Sequence, residues 1–267
     1  KPLAEVTNAV LKFQPESFES FDDHTFKIAL KLFPAIVKKL NGNMVKLAFQ
    51  FLPEFLMVLT GGVPKLILIA EFSGDTKEDA LRKAEQARES LQPFHLKTKI
   101  AKDDAEAKKY WTFRRESFNL LRQHLSNLRT APFIDDFVVR PEFLPEFFPK
   151  LEEIFSHYKI MYTIAGHVGD GNFHIIPLMD LRKDESVRII KELSDKVYAL
   201  VMEFKGTITG EHNEGLIRSS YLPMMYGPEI MKLFEETKKI FDPLNIFNPG
   251  KKVGADREYA WEHLNRN

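Results

Sequence analysis

Apolar residues recur along this chain with two different periods. Lys65–Phe72 (KLILIAEF) is an unbroken, largely aliphatic run ended by Gly74, which predicts a strand. Ala9–Phe13, Leu47–Leu52, His95–Ala101 and Phe133–Val139 are further runs of strand length, and Lys159–Ala165 and Phe173–Leu178 flank a Gly-rich turn. Elsewhere the spacing is helical. After Thr76-x-x-Asp79, which resembles a capping box, Ala80, Leu81, Ala84, Ala87 and Leu91 fall on one stripe, and Pro93 follows the stop. Asp104 to about Leu128 reads as a long helix carrying Trp111, Phe118 and Leu121, and Leu144–His157 as another. Val187, Ile190, Leu193, Val197, Leu200 and Phe204 mark a further long helix, with two more helical stretches near Gly215–Tyr221 and Pro228–Phe241.

A strand–helix–strand order repeats in each half. It predicts an α+β fold: a mostly antiparallel sheet with helices packed on it, built from two ferredoxin-like lobes. The reading is one domain over 1–267, with lobes 1–130 and 131–255.

Composition narrows the function classes. The chain has 267 residues with 38 Lys+Arg against 38 Asp+Glu, so no global field draws in nucleic acid or an anionic membrane. Cys is absent, which excludes disulfides, iron–sulfur ligation, thiolate zinc and a Cys nucleophile within this chain. Phe is abundant, at 23 residues, and reads as core with a smaller share for a partner surface. No apolar run approaches the ~20 residues needed to span a bilayer, and the sequence opens on Lys1 with no signal peptide. The expectation is a piece of a longer cytoplasmic protein, peripheral at the inner membrane at most. There is no G-x-x-x-x-G-K-[ST], and Gly166-x-x-Gly169-x-Gly171 is not a dinucleotide fingerprint. Any nucleotide cofactor must therefore be held mainly by another segment.

Two short polar segments carry the candidate chemistry. Gly166-His167-Val168-Gly169-Asp170-Gly171-Asn172-Phe173-His174 has a turn at its Gly/Asp centre, and folding back there brings His167 near His174. Thr207-Ile208-Thr209-Gly210-Glu211-His212-Asn213-Glu214-Gly215 joins the long helix to the next one. In extended backbone Glu211 and His212 point opposite ways, which assigns them different roles. Two imidazoles and one carboxylate with open positions suit a catalytic divalent ion, Zn or Mn, Fe or Co. His212, an imidazole, is then the candidate general base. His24, His95, His124, His157 and His263 read as hydrogen-bonded structural residues.

GHVGDGNFH, GEHNEG and Phe241-Asp242-Pro243-Leu244-Asn245-Ile246-Phe247-Asn248-Pro249-Gly250-Lys251, in this order, resemble the C-terminal, substrate-binding domain of FAD-linked oxidases. That family includes D-lactate dehydrogenase, the glycolate oxidase FAD subunit and D-2-hydroxyglutarate dehydrogenase. The resemblance implies that His167, His174 and Glu211 hold a metal that binds the hydroxyl and carboxylate of a 2-hydroxy acid. It makes His212 the base that takes the hydroxyl proton, while hydride passes to FAD. It makes Arg114, within Trp111-Thr112-Phe113-Arg114, the partner of the substrate carboxylate. Asn172 is the residue matching another substrate contact, and Arg218 keeps a family cation. Asn248 and Gly250 match the segment that approaches the flavin.

Departures from the family pattern qualify these expectations. Asn213-Glu214-Gly215 replaces Gly-Ile-Gly, adding a carboxylate beside the site. Phe118 and Ile134 stand where dicarboxylate-selective members carry Thr and Lys, which favours a small or apolar 2-hydroxy acid over 2-hydroxyglutarate. The FAD-binding domain that precedes this one in the family is not part of this chain, so the chain by itself is expected to have no turnover. An iron–sulfur domain or subunit and a homodimer are compatible partners. Two readings of another class compete: flavin-independent metal-assisted chemistry, and a non-catalytic, metal-containing binding module.

Overall fold

The structure, a computed structural model, describes residues 2–23, 66–108, 110–112, 114 and 128–266. The chain divides into two compact units, one of Pro2–Asn127 with Thr163–Gly169, the other of Leu128–Tyr162 with Asp170–Asn267. Thr163–Gly169 join the earlier part of the chain, so the units are not successive halves. All described strand pairings are antiparallel, and the architecture is α+β, as the alternation of periods predicts.

In the N-terminal unit, α1 (Pro2–Leu11) buries Ala4, Val6 and Val10. The strand expected at Ala9–Phe13 is thus the end of a helix followed by a turn. Its four clustered apolar residues belong to a 3.6-residue pattern that starts at Leu3. The true strand, β1 (Ser17–Asp22), was not legible as one. Glu19 and Ser20 are buried along with Phe18 and Phe21, so it shows no polar–apolar alternation. Strand β1 pairs with β2 (Leu66–Glu71) in unbroken register from Ser17 opposite Glu71 to Asp22 opposite Leu66. The expected run at Lys65–Phe72 is this β2.

Helix α2 (Lys77–Ser90) starts where the capping box places it, with Thr76 Oγ1 accepting from Asp79 N at 3.2 Å. Its stripe is only lightly covered: Ala87 is buried and Leu81 is 46% exposed. No strand forms at His95–Ala101. A 3₁₀ turn over Gln92–Phe94 ends with His95 in the left-handed region (φ 51°), which turns the chain out of extended geometry. Residues 104–108, 110–112 and 114 are helical, the start of the expected long helix. Leu47–Leu52, Phe118, Leu121, His24 and His124 lie outside the described residues.

In the C-terminal unit, β3 (Arg129–Thr130) and β4 (Ile134–Val138) both pair with β6 (Asn172–Met179), which is buried along its whole length. Helix α3 is Leu144–Ser156; β5 (Met161–His167) follows it in sequence, but its Thr163–His167 belong to the N-terminal unit, where β5 pairs with β1. Helix α4 (Asp184–Glu203) buries Ile190, Leu193, Val197 and Val201. Phe137 of β4, Phe147 and Phe148 of α3, Phe173 of β6 and Phe204 form one aromatic cluster, with ring centroids 5.0–6.0 Å apart. Among the described residues Phe18, Phe21, Phe133, Phe137, Phe147, Phe155, Phe173 and Phe204 are buried, so a large share of the Phe serves as core. Helix α5 (Gly215–Arg218) leads through a 3₁₀ turn into α6 (Leu222–Phe241), which breaks at Gly227 (φ 74°) and resumes at Pro228. A short α7 (Arg257–Glu262) closes the unit. No described helix is long and apolar enough to cross a membrane.

Candidate active site

A one-residue irregularity in β4 creates the site. Asp135 pairs with His174 of β6 and Phe137 pairs with Phe173, so Asp136 is an extra residue between them, at φ 70°. Such a bulge re-aims side chains that a flat strand would send to strictly alternating faces. Asp135 turns toward the histidines, and Asp136 turns toward the loop that follows α4. That loop is brought back to β4 by a bridge in which Thr207 and Val138 exchange backbone hydrogen bonds at 2.9 Å each.

Asp136 organises the loop. Its carboxylate accepts from the backbone N–H of Gly210 (3.0 Å), Glu211 (2.9 Å) and His212 (2.8 Å). It also accepts from Asn172 Nδ2 (3.0 Å) and Thr209 Oγ1 (3.1 Å), and it is fully buried. Burial alone would raise its pKa. The N–H groups of Glu211 and His212, the Asn172 amide and the N–H of Gly210 outweigh burial and lower it to about 2. Three consecutive backbone donors on one carboxylate require a tightly curled backbone. This corrects the expectation that Glu211 and His212 diverge: both side chains converge on one point.

The convergence has a simple geometry. His174 and His212 stack with ring centroids 4.8 Å apart and planes 16° from parallel. Their Nδ1 atoms face the two oxygens of one carboxylate, Asp135, at 2.8 Å and 3.1 Å. Their Nε2 atoms both lie 3.2 Å from Glu211 Oε1. Asp135 and the His174 side chain are buried, whereas the side chains of Glu211 (47%) and His212 (48%) are half exposed. The Nε2 side is therefore the open one. The 3.2 Å between His174 Nε2 and Glu211 Oε1 is close to the edge of a tetrahedron with ~2.0–2.1 Å metal–ligand bonds, so these two side chains can serve together as ligands of a divalent ion.

The remaining candidates divide. Asn172 is buried, its Nδ2 is taken by Asp136, and its Oδ1 has no hydrogen-bond partner among the described residues. Arg218 is not placed to meet a substrate. It is 5% exposed, and its guanidinium donates to the carbonyls of Asp135, Asn213 and Ile208 while lying 3.5 Å from Asp136. It braces the loop. The carboxylate added by Glu214 does not oppose an anionic ligand either, because it is buried and paired with Lys252 Nζ at 2.9 Å. Ile134 is completely buried in the core and faces no ligand. His157 and His263 lie outside this cluster; His263 Nδ1 meets the carbonyl of Tyr259 at 2.8 Å.

His167 and Arg114 belong to the N-terminal unit, where both reach the buried Glu19. His167 Nδ1 is 2.5 Å from Oε1, and Arg114 Nη2 is 2.8 Å from Oε2. Asn248 (φ 51°) and Gly250 (φ 70°) sit on a turn of the C-terminal unit, joined by a hydrogen bond from Lys251 N to the Asn248 carbonyl. Just before it, Asp242 accepts from the N–H groups of Ile246 and Phe247 at 2.9 Å each. That cap turns Phe241, Leu244, Ile246 and Phe247 outward, 65–78% exposed.

Sequence reasoning missed Asp135, Asp136 and Glu19. A signal existed for Asp135 and Asp136, which are acids inside a short run of large apolar residues, where a buried carboxylate is costly unless partnered; Glu19, between Phe18 and Ser20, carried none.

Residues 3–252 match the family model described as FAD linked oxidases, C-terminal domain. The D-lactate dehydrogenase of Anaerostipes hadrus is 32% identical over 186 residues, 69% of this chain and 38% of the relative. The D-2-hydroxyglutarate dehydrogenase of Haemophilus influenzae is 29% identical over 68% of this chain and 18% of its own length. The glycolate oxidase subunit GlcD of Bacillus subtilis is 28% identical over 72% of this chain and 40% of its own length. The aligned part of the chain thus spans no more than two fifths of these relatives. Among solved structures, an alkyldihydroxyacetonephosphate synthase covers 93% of this chain and 41% of its own at 12% identity, with a TM-score of 0.47. With nearly its whole length matched by the family model, this chain belongs to the FAD linked oxidases, as a C-terminal domain of that family.

Proposed function

We propose that this chain is the substrate- and metal-binding domain of an FAD-dependent dehydrogenase that oxidises a small 2-hydroxy acid, of the D-lactate or glycolate type, to the 2-oxo acid. The observation that carries the reading is the pair of stacked imidazoles between Asp135 and Glu211, in the two motifs that resemble those of the family. Within the C-terminal unit the proposed ligands are His174 and Glu211; the family resemblance adds His167 as the third. A divalent ion held there supplies Lewis acidity, lowering the pKa of a bound hydroxyl and offsetting the developing alkoxide charge. Bound FAD, held mainly by a separate FAD-binding domain, supplies the hydride acceptor.

This chain's residues do the rest. His212 takes the hydroxyl proton at Nε2 and, being half exposed, passes it to water. Arg114 meets the substrate carboxylate with its planar fork, and Glu19 holds that fork in place. Asn172, expected from the resemblance to contact substrate, is buried and acts here through its Nδ2, which donates to Asp136 and so holds the loop of Glu211 and His212. The exposed turn carrying Asn248 and Gly250, with the apolar side chains beside it, docks the FAD-binding domain.

The test is made in the FAD-containing holoenzyme with a dye acceptor, offering D-lactate, glycolate and D-2-hydroxyglutarate in parallel. Oxidation of one of the small acids, slowed about 10²- to 10⁴-fold by His212→Ala, is the expected result. A preference for 2-hydroxyglutarate would sink the small-substrate reading. Turnover by this chain alone, without flavin, would overturn the flavin-dependent one.

A further inference from the structure

We infer that Glu19 is a positioning residue whose one buried carboxylate supports His167 through one oxygen and sets the guanidinium of Arg114 through the other. The inference rests on the reading of His167 as the third metal ligand and of Arg114 as the partner of the substrate carboxylate. It goes beyond that reading by making metal affinity and carboxylate affinity depend on a single side chain.

The three residues come from separate elements of the N-terminal unit. Glu19 lies on β1, which is paired with β2 and with β5. Ser20 stands opposite Gly166 in the antiparallel β1–β5 register, which makes Glu19 and His167 cross-strand neighbours. The chain just after His167 is tied back to β1, because Gly169 N donates to the Phe18 carbonyl at 3.1 Å. The approach is close: a Cβ at Gly169 would stand 2.9 Å from Phe18 Cβ. Arg114 arrives from the helical residues that begin at 104. Glu19 is only 6% exposed, and a carboxylate is buried at high cost unless partners meet it. Its Oε1 lies 2.5 Å from His167 Nδ1 and its Oε2 lies 2.8 Å from Arg114 Nη2.

The contact with Arg114 is an ion pair without hydrogen-bond alignment. Nε and Nη2 of Arg114 are both buried, and neither has an aligned acceptor among the described residues. These two atoms form one edge of the guanidinium, and such an edge takes a carboxylate through two parallel hydrogen bonds. Buried donors left unmet are costly, and an arriving carboxylate meets both. Glu19 therefore fixes the guanidinium by charge while leaving that edge to a ligand. Glu19→Gln keeps the size of the side chain but removes the charge, and its NH₂ cannot accept from either neighbour.

The experiment uses the FAD-containing holoenzyme, saturated with zinc and supplied with the 2-hydroxy acid it oxidises fastest. Zinc affinity of the same proteins is measured by competition with a chromophoric chelator. Glu19→Gln is expected to raise KM about 10- to 100-fold with a smaller change in kcat, because a charged contact that serves binding is lost. It is also expected to weaken zinc binding about 10- to 100-fold. Arg114→Met raises KM by itself, and adding Glu19→Gln to it is expected to raise KM no further, since Glu19 acts on the substrate through Arg114. Unchanged KM and zinc affinity in Glu19→Gln overturn the inference. Loss of only one of the two affinities overturns the claim that one side chain serves both, and a full further rise of KM in the double variant shows that Glu19 does not act through Arg114. If Glu19→Gln does not fold, Glu19→Asp decides: its carboxylate is drawn back by one methylene, and unchanged KM and zinc affinity there overturn the inference equally. A wild-type holoenzyme that oxidises no 2-hydroxy acid, or takes up no zinc, defeats the reading of the site and the inference with it. An active, zinc-binding wild type with indifferent Glu19 variants defeats the inference alone.

Discussion

Asp136 is the single residue on which most of the site's geometry depends. Five donors converge on its buried carboxylate, three of them backbone N–H groups from Gly210, Glu211 and His212. Asp136→Asn turns one acceptor into a donor facing donors. With about 1–3 kcal/mol for each buried group left unpaired, a loss of roughly 3 kcal/mol in stability is expected by chemical denaturation. The same carboxylate predicts a pH signature. Its folded pKa lies below the ordinary carboxylate value, at about 2, so its contribution is complete above about pH 4 and is lost as pH falls through about 2. The gap in melting temperature between wild type and Asp136→Asn should therefore be widest near neutrality and close below about pH 3. A gap that stays constant into acid would show that the charge is not what holds the loop. Neither acid of the Asp135-Asp136 pair was singled out from sequence. A pattern of apolar positions locates a strand, but it does not say that one residue will be extra and that two adjacent acids will serve different partners.

Strong periodicity, covered on one side, was what made elements legible. The segments around β2, β4, β6 and helices α2, α3 and α4 follow from uninterrupted runs, a capping box or long stripes. Strand β1 did not, because its buried Glu19 and Ser20 remove the polar–apolar alternation on which the reading depends. Yet β1 carries the carboxylate that pairs with both His167 and Arg114. The loop between α4 and α5 was legible as chemistry but not as shape. Its curl comes from a carboxylate more than seventy positions earlier, a long-range cause that no local window contains. Gly210 is part of that curl: a Cβ there would collide with Asn172 Nδ2 and stand 3.0 Å from Asp136 Oδ1. Gly210→Ala is expected to keep the chain folded but to lose most zinc affinity in a chelator competition. Unchanged affinity would mean that the loop tolerates displacement without opening the site.

For the molecule as a whole, the three ordered motifs were enough to indicate the family, and the match over residues 3–252 bears that out. Substrate size was harder to read, because one of its two indicators, Ile134, is sealed in the core and the other, Phe118, lies outside the described residues. The exposed group Phe241, Leu244, Ile246 and Phe247 is large for a free surface and adjoins the turn of Asn248 and Gly250. Replacing Leu244 and Phe247 together by Ser is expected to weaken association with the FAD-binding domain at least tenfold, roughly 1.4 kcal/mol, without lowering this chain's melting temperature. Equal association by both proteins in a binding titration would show that this face is not the docking surface.

The central claim is that the cluster of His174, Glu211 and His212 exists to hold a catalytic divalent ion and a base side by side. Its most direct test is the metal content of the purified chain, by mass spectrometry, for wild type, His174→Ala and Glu211→Gln. The account predicts roughly one divalent ion per wild-type chain and little in either variant. Equal metal in all three, or none in wild type even after incubation with zinc, would contradict it.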